Sequence, residues 1–302
     1  MAAATAARPL GAGSDSTNFG QRASRILRRF VRRQPIGTFG AIIVVVLVLT
    51  AVFAGFIAPY DPLAQAQKQA LQSPSAAHLA GTDQFGRDML SRLIYGARVS
   101  LYVGVGSVIM SVIPATIIGI MSAYFGGIFD YLVGRLTDAI QAIPPVILLI
   151  VMMSVLGVTI FNIIIALSVR SAIGDSRVMR SSTVSVSASE FVFAARSLGA
   201  TNFRLMYNHI LPNITSPIIV VSSLGFGRFI LSESTLSFLG YGILPPAPSW
   251  GGMLASEGRA YMFAAPWMLW GPAIALSLVV FGANMFGDAL RDELDPRLRS
   301  AS

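Results

Sequence analysis

The chain has 302 residues, of which 54% are hydrophobic and only 12% charged, with a net charge of +8 and a mean hydropathy of +0.68. An ordinary soluble domain carries about twice that charged fraction, so water is not the main solvent of this protein. Cysteine is absent and the histidines are His78 and His209 alone, which excludes disulfides, thiolate metal sites and a zinc cluster.

Residues 1–35 read as a basic tail. Its first dozen or so residues are small and polar or weakly apolar, a composition expected to stay disordered. Arg8, Arg22, Arg25, Arg28, Arg29, Arg32 and Arg33 have only Asp15 against them, and the cluster runs straight into an apolar stretch. Anionic lipid headgroups are therefore its nearer partner, not nucleic acid, and the cationic excess holds this end in the cytoplasm. Residues 36–58 are the first predicted transmembrane helix. The run is longer than a signal-peptide core and ends without a convincing small-residue cleavage site.

Residues 59–97 are predicted as an external loop. Pro62 and Pro74 make its first half an extended crossing, whereas Met89, Leu93, Ile94 and Leu101 are spaced as on a helix, with Asp88 and Arg92 four apart. Asp83 and Asp88 can be imagined as a catalytic carboxylate pair. With Arg87 and Arg92 equally near in sequence, an ion-paired cap over the external ends of the spans is the plainer account. Exposed pairs contribute about 0.2 to 1 kcal/mol each, so removing one charge is expected to be mild.

Residues 98–288 hold five further spans. No Asp, Glu, Lys or Arg occurs between Arg98 and Asp130, between Asp138 and Arg170, or between Arg259 and Asp288. Each interval exceeds the ~20 apolar residues that cross a bilayer. Gly157 divides the middle interval into a span ending near Leu156 and another starting near Thr159, after which the chain from about Arg170 to Pro212 is cytoplasmic. A span from roughly Asn213 to Leu239 is apolar except for Arg228 and Glu233. An arginine facing lipid at the bilayer centre costs about 2.5 kcal/mol or more, so Arg228 is expected to face protein or an aqueous path, with Glu233 as its candidate partner. Six spans leave both termini, including the tail 289–302, in the cytoplasm.

Residues 187–212 form a second organised segment. Ser187 or Ser189 caps a helix through Leu198, with Phe191, Ala194, Ala195 and Leu198 on one face. Gly199 interrupts it, Thr201 caps a second short helix through about Ile210, and Leu211 and Pro212 lead back to the membrane. Two short helices joined at a glycine make a protrusion that fits a partner's groove through Phe203, Leu205, Met206 and Tyr207. On periodicity alone, an amphipathic elbow lying on lipid is the other reading.

At four places, in order, the chain resembles the inner-membrane permease subunits of binding-protein-dependent ABC importers, most closely the dipeptide, oligopeptide and nickel branch. Gly81 to Leu101 (GTDQFGRDMLSRLIYGARVSL), containing Gly81, Thr82, Asp83, Gly86, Arg87, Asp88 and Arg92, is similar to that branch's external loop. Phe191 to Asn213 (FVFAARSLGATNFRLMYNHILPN) resembles the loop by which such permeases engage their ATPases. Leu231 to Leu254 and Gly287 to Arg299 resemble the fifth-span exit and the C-terminus. The resemblance implies an all-α polytopic membrane protein with six transmembrane helices, in the type I ABC importer transmembrane-domain fold. It implies a non-catalytic subunit in the bacterial inner membrane that binds no cofactor, ATP and Mg2+ being used by its partners. Those partners are a second homologous permease, two cytoplasmic ATPase subunits or one fused ATPase, and an external solute-binding protein.

The implied coupling residues are Phe193, Ala194, Ala195, Leu198, Gly199, Phe203, Leu205, Met206, Leu211 and Pro212. The family's loop usually has an acid where this chain has Phe193, and a basic residue where it has Asn208, so the polar contacts to the ATPase differ here. Short peptides are the implied cargo, with nickel or another small solute as the alternative. An ion-coupled secondary transporter is the competing class. Ionisable or unwound sites grouped at mid-membrane depth would mark it, and no such grouping is visible in the sequence.

Overall fold

The computed structural model describes residues 30–294. The basic cluster up to Arg29, and Asp295 to Ser302 of the C-terminal tail, lie outside the described residues. Long apolar runs with few glycines or prolines inside them become helices, because a helix satisfies its own backbone hydrogen bonds where no water can. The helices are α1 (Pro35–Val52), α2 (Met89–Phe125), α3 (Gly127–Ala142), α4 (Pro145–Leu156), α5 (Ile160–Ser187), α6 (Glu190–Ser197), α7 (Thr215–Phe238) and α8 (Trp267–Leu294). Shorter helical turns fill some of the connections.

The protein is all-α, polytopic and membrane-spanning. Among the described residues α1, α2, α8 and the helical run from Asn202 to Phe238 are each long and apolar enough to cross a membrane; α3 and α4, bent by 94° at Ile143-Pro144, make a fifth if they form one span. Pro145 explains the bend: proline opens a helix but cannot continue one. The span expected to end near Leu156 therefore has only 12 residues after the bend, about 18 Å of helix.

Two boundaries differ from the sequence reading. The helix of the external segment does not stop before a second span at Arg98. It begins at Met89 and runs unbroken through Arg98, whose Nε donates to the Ala51 carbonyl at the end of α1 at 2.7 Å. Likewise the chain from Arg170 continues as the second half of α5, helical to Ser187. Three of its charges, Asp175, Arg177 and Arg180, find partners on neighbouring elements, described below.

The longest helix contact is α2 along α5. Small residues make it possible: Ser107, Ser111, Thr116 and Gly119 of α2 and Ser168, Ala172 and Ser176 of α5 are all buried, and the Ser168 hydroxyl lies 3.3 Å from the Ser107 carbonyl. A Cβ on Gly119 would stand 2.5 Å from that of Met179, so the two backbones approach as only small residues permit. Apolar clusters mark the two ends of the bundle. Leu149, Met153, Ile163, Leu167, Phe229 and Leu236 pack together toward the Gly157 turn, whereas Ile120, Ile210 and Ile214 pack at the opposite end with Val186 and Met206. The α6 elbow hangs from this second end.

Candidate functional site

Three constellations emerge, one at each end and one between. The elbow begins where α5 stops. Ser189 stands at the N-cap of α6, although its hydroxyl donates back to the Val186 carbonyl at 2.6 Å and not into the helix. At the other end Gly199 has φ +83°, with its N–H on the Arg196 carbonyl (3.0 Å) and that of Ala200 on the Ala195 carbonyl (3.1 Å). These are the two hydrogen bonds of a left-handed glycine C-cap. Thr201 then caps the next turn, accepting from the Arg204 N–H at 3.4 Å.

The elbow's apolar side chains divide into roots and knobs. Val192, Leu205, Ile210 and Ile214 are buried, and Ala195, Met206 and Leu211 half-buried. Phe193, Ala194, Pro212 and Tyr207 are exposed, as are Leu198 at 88% and Phe203 at 71%. The Phe203 and Tyr207 rings stack at 5.8 Å. Leu205, expected among the partner contacts, is instead a root, fully buried at the start of a π-helical turn over Leu205–Ile210.

At the far end, residues 60–92 fold into a plug whose outer half, up to Ala80, is mostly exposed and whose inner half, Gly81 to Arg92, is mostly buried. Asp83 accepts the N–H groups of Phe85 and Arg87 on one oxygen (2.8 and 2.9 Å) and faces Arg87 Nε (2.5 Å) and Arg92 Nε (3.5 Å) with the other. Asp88 caps α2 through Ser91 and lies 2.9 Å from His78 Nδ1. Asp88 thus meets Ser91 and His78, partners that its spacing from Arg92 did not suggest. Thr82 donates to the Gln69 carbonyl, and its own carbonyl accepts Trp267 Nε1 from α8 at 3.0 Å. Gly81 and Gly86 take φ +73° and +72° in the turns of this plug. Asp83, Arg87, Asp88 and Arg92 are all buried, which overturns the reading of them as exposed, weakly coupled pairs.

The third constellation was not legible beforehand. Arg228 of α7 donates through Nη2 to both oxygens of Asp175 in α5, at 3.1 and 3.4 Å. Arg170 lies within electrostatic reach of both. Glu233 is not the partner of Arg228. It is fully buried on another side of α7 and accepts from the hydroxyls of Ser237 (2.7 Å) and Ser234 (3.3 Å). Asp175 stands 53 residues from Arg228, so spacing along one helix gave no signal of the pair. Beside it, Arg180 grips Asp130 of α3 with Nε and Nη2 (2.5 and 2.6 Å), and Arg177 grips Asp138 and Gln141. No group of three or more His, Cys, Asp or Glu placed to hold a metal occurs among the described residues.

Residues 115–300 match the model of the inner membrane component of binding-protein-dependent transport systems, and residues 21–74 that of the N-terminal transmembrane domain of oligopeptide transport permease C. The chain belongs to this family of transport permeases. The permease is 39% identical to a dipeptide transport system permease protein of Alkalihalophilus pseudofirmus over 89% of its length and 88% of the relative's. It is 39% identical to a di/tripeptide transport system permease protein of Pseudomonas aeruginosa, over 87% of this chain and 88% of that one. A glutathione transport system permease protein of Escherichia coli matches at 40%, over 90% and 89%. The permease is thus a non-catalytic transport subunit.

Proposed function

We propose that this permease forms one half of the translocation pathway of an ATP-driven importer of short peptides and couples it to cytoplasmic ATPases. The observation that carries the reading is the elbow: exposed Phe193, Leu198, Phe203 and Tyr207 stand on a root of buried Val192, Leu205 and Ile210. An amphipathic segment lying on lipid needs no left-handed break, whereas a fixed bend presenting aromatic knobs suits a partner's groove. The partners are a second permease of similar fold, two ATPase subunits or one fused ATPase using ATP and Mg2+, and an external binding protein that delivers the cargo.

Six crossings complete this scheme: α1, α2, the bent α3–α4 pair, α5, α7 and α8. The pair counts as one crossing because α3 starts at the elbow end, where Asp130 meets Arg180, and α4 ends among the Leu149 and Met153 contacts at the other. Both tails and the elbow 187–212 then lie in the cytoplasm of a bacterial cell, and the plug 59–97 outside, against the binding protein. ATP closes the ATPase dimer, the elbows of both permeases follow, and the pathway between them opens outward. Hydrolysis resets it. Copurification with ATPase subunits tests the reading. Phe203→Asp and Leu198→Asp should lose the ATPases while keeping the sister permease, and retention of the ATPases by both variants would overturn it. Dipeptides and tripeptides are the favoured cargo, with nickel or another small solute as the alternative that ligand identification on the binding protein would reveal.

A further inference from the structure

The charged residues of α5 fall into two kinds. Arg180 and Arg177 hold α3: Arg180 uses two nitrogens on the two oxygens of Asp130, a closed fork, and Arg177 reaches Asp138 and Gln141 with separate nitrogens. The Arg228–Asp175 contact is of another kind. Only Nη2 is engaged, at 3.1 and 3.4 Å, and the Arg228 side chain is 48% exposed against 14% for Asp175. A guanidinium has five N–H donors in a fixed fork, so most of this one is open.

The depth of the cluster matters as much as its geometry. Arg170 is ten residues from the Gly157-turn end of α5, and Arg228 ten residues before the end of α7 on the same side. At 1.5 Å per residue both sit about 15 Å in, near the middle of a ~30 Å hydrocarbon core. Two arginines stand there against one aspartate, because Glu233 is turned away to its serines. The Nε of Arg170 is buried with no hydrogen-bond partner among the described residues. Lipid cannot accept such a face, since a charge exposed to acyl chains is costly. The face must meet water, the other permease or cargo, and it has one positive charge to spare.

We propose that Arg228, backed by Arg170, is a mid-pathway binding station for the C-terminal carboxylate of the transported peptide, with Asp175 holding the guanidinium between passages. The assignment rests on the peptide-importer reading above. A planar carboxylate fits the open side of the Arg228 fork with two charge-assisted hydrogen bonds. It can take over from Asp175 without leaving the cluster more charged than before. A free terminal carboxylate is common to all short peptides whatever their side chains, so a station reading that group alone tolerates varied cargo.

The test uses the complete importer in liposomes with its binding protein, following uptake of labelled dialanine together with ATP hydrolysis. Arg228→Gln should lower dialanine uptake about tenfold or more, the scale of a lost charge-assisted contact, while the ATPases still copurify. Arg228→Lys should keep an intermediate rate, since it keeps the charge but loses the fork. The exchanged pair Asp175→Arg with Arg228→Asp should not recover uptake. Full recovery in the exchanged pair, or wild-type uptake by Arg228→Gln, would overturn the station and leave a structural ion pair. If the wild-type importer moved neither dialanine nor trialanine while a different loaded cargo stimulated hydrolysis, the peptide reading itself would fall, and the station with it.

Discussion

Replacing Gly199 by valine separates the bend of the elbow from everything else in the permease. Its φ of +83° lies in the left-handed region, and nothing stands within 4 Å of where a Cβ would go. The substitution therefore creates no clash, and its cost is that of the backbone conformation alone, roughly 1 to 2 kcal/mol and greatest for a β-branched residue. That strain is relieved if α6 runs on past Leu198, breaking the Gly199 to Arg196 and Ala200 to Ala195 hydrogen bonds. A change of this size shifts the balance between the two forms about 5- to 30-fold. Leu205 and Ile210 stay rooted, so what moves is Leu198 relative to the stacked Phe203 and Tyr207. Only the seated fraction docks, and the apparent ATPase affinity falls by up to the same factor. Gly199→Val should insert at normal levels and pair with the sister permease, yet leave hydrolysis unstimulated by loaded binding protein. Gly199→Ala should be milder. The assay is ATP hydrolysis and uptake in the reconstituted complex, with and without binding protein. Normal coupling in the valine variant would refute the bend as the coupling element.

Asp83→Asn should be severe, not mild, because breaking a buried ion pair costs about 3 to 5 kcal/mol; thermal denaturation of the detergent-solubilised permease measures it, and an unchanged midpoint would contradict the buried half of the plug. Arg87 and Asp88 replaced together break two buried contacts, with Asp83 and with His78, so they should lower that midpoint further and reduce uptake. The chain has no cysteine, so Arg228→Cys gives a single thiol, which should react with a membrane-impermeant reagent and be shielded by cargo; labelling only by lipid-dissolved probes would show that α7 faces acyl chains. Glu233→Gln should retain normal membrane levels, since the amide oxygen still accepts from Ser237, whereas Glu233→Lys should abolish them by placing a cation in a fully buried site. Immunoblots of membrane fractions distinguish the two outcomes.

The sequence alone determined what depends on solvent and on local backbone. Long apolar intervals with few or no charges force helices whatever surrounds them, which is why α1, α7, α8 and most of α2 fall where hydropathy places them. Gly199 and Gly157 were legible as breaks for a similar reason: both take a positive φ that other residues avoid. What sequence could not supply was direction and partner. Whether Leu205 points out or in depends on how the elbow is seated against the bundle, which buries it fully. That Asp88 meets His78 depends on a loop folding back, and whether α3 and α4 are one span depends on how sharply Pro145 turns them. Arg228 and Asp175 meet because α5 and α7 lie side by side, a contact across 53 residues that no local periodicity encodes. An ion pair's energy depends on distance in space and on burial, and tertiary structure alone decides both.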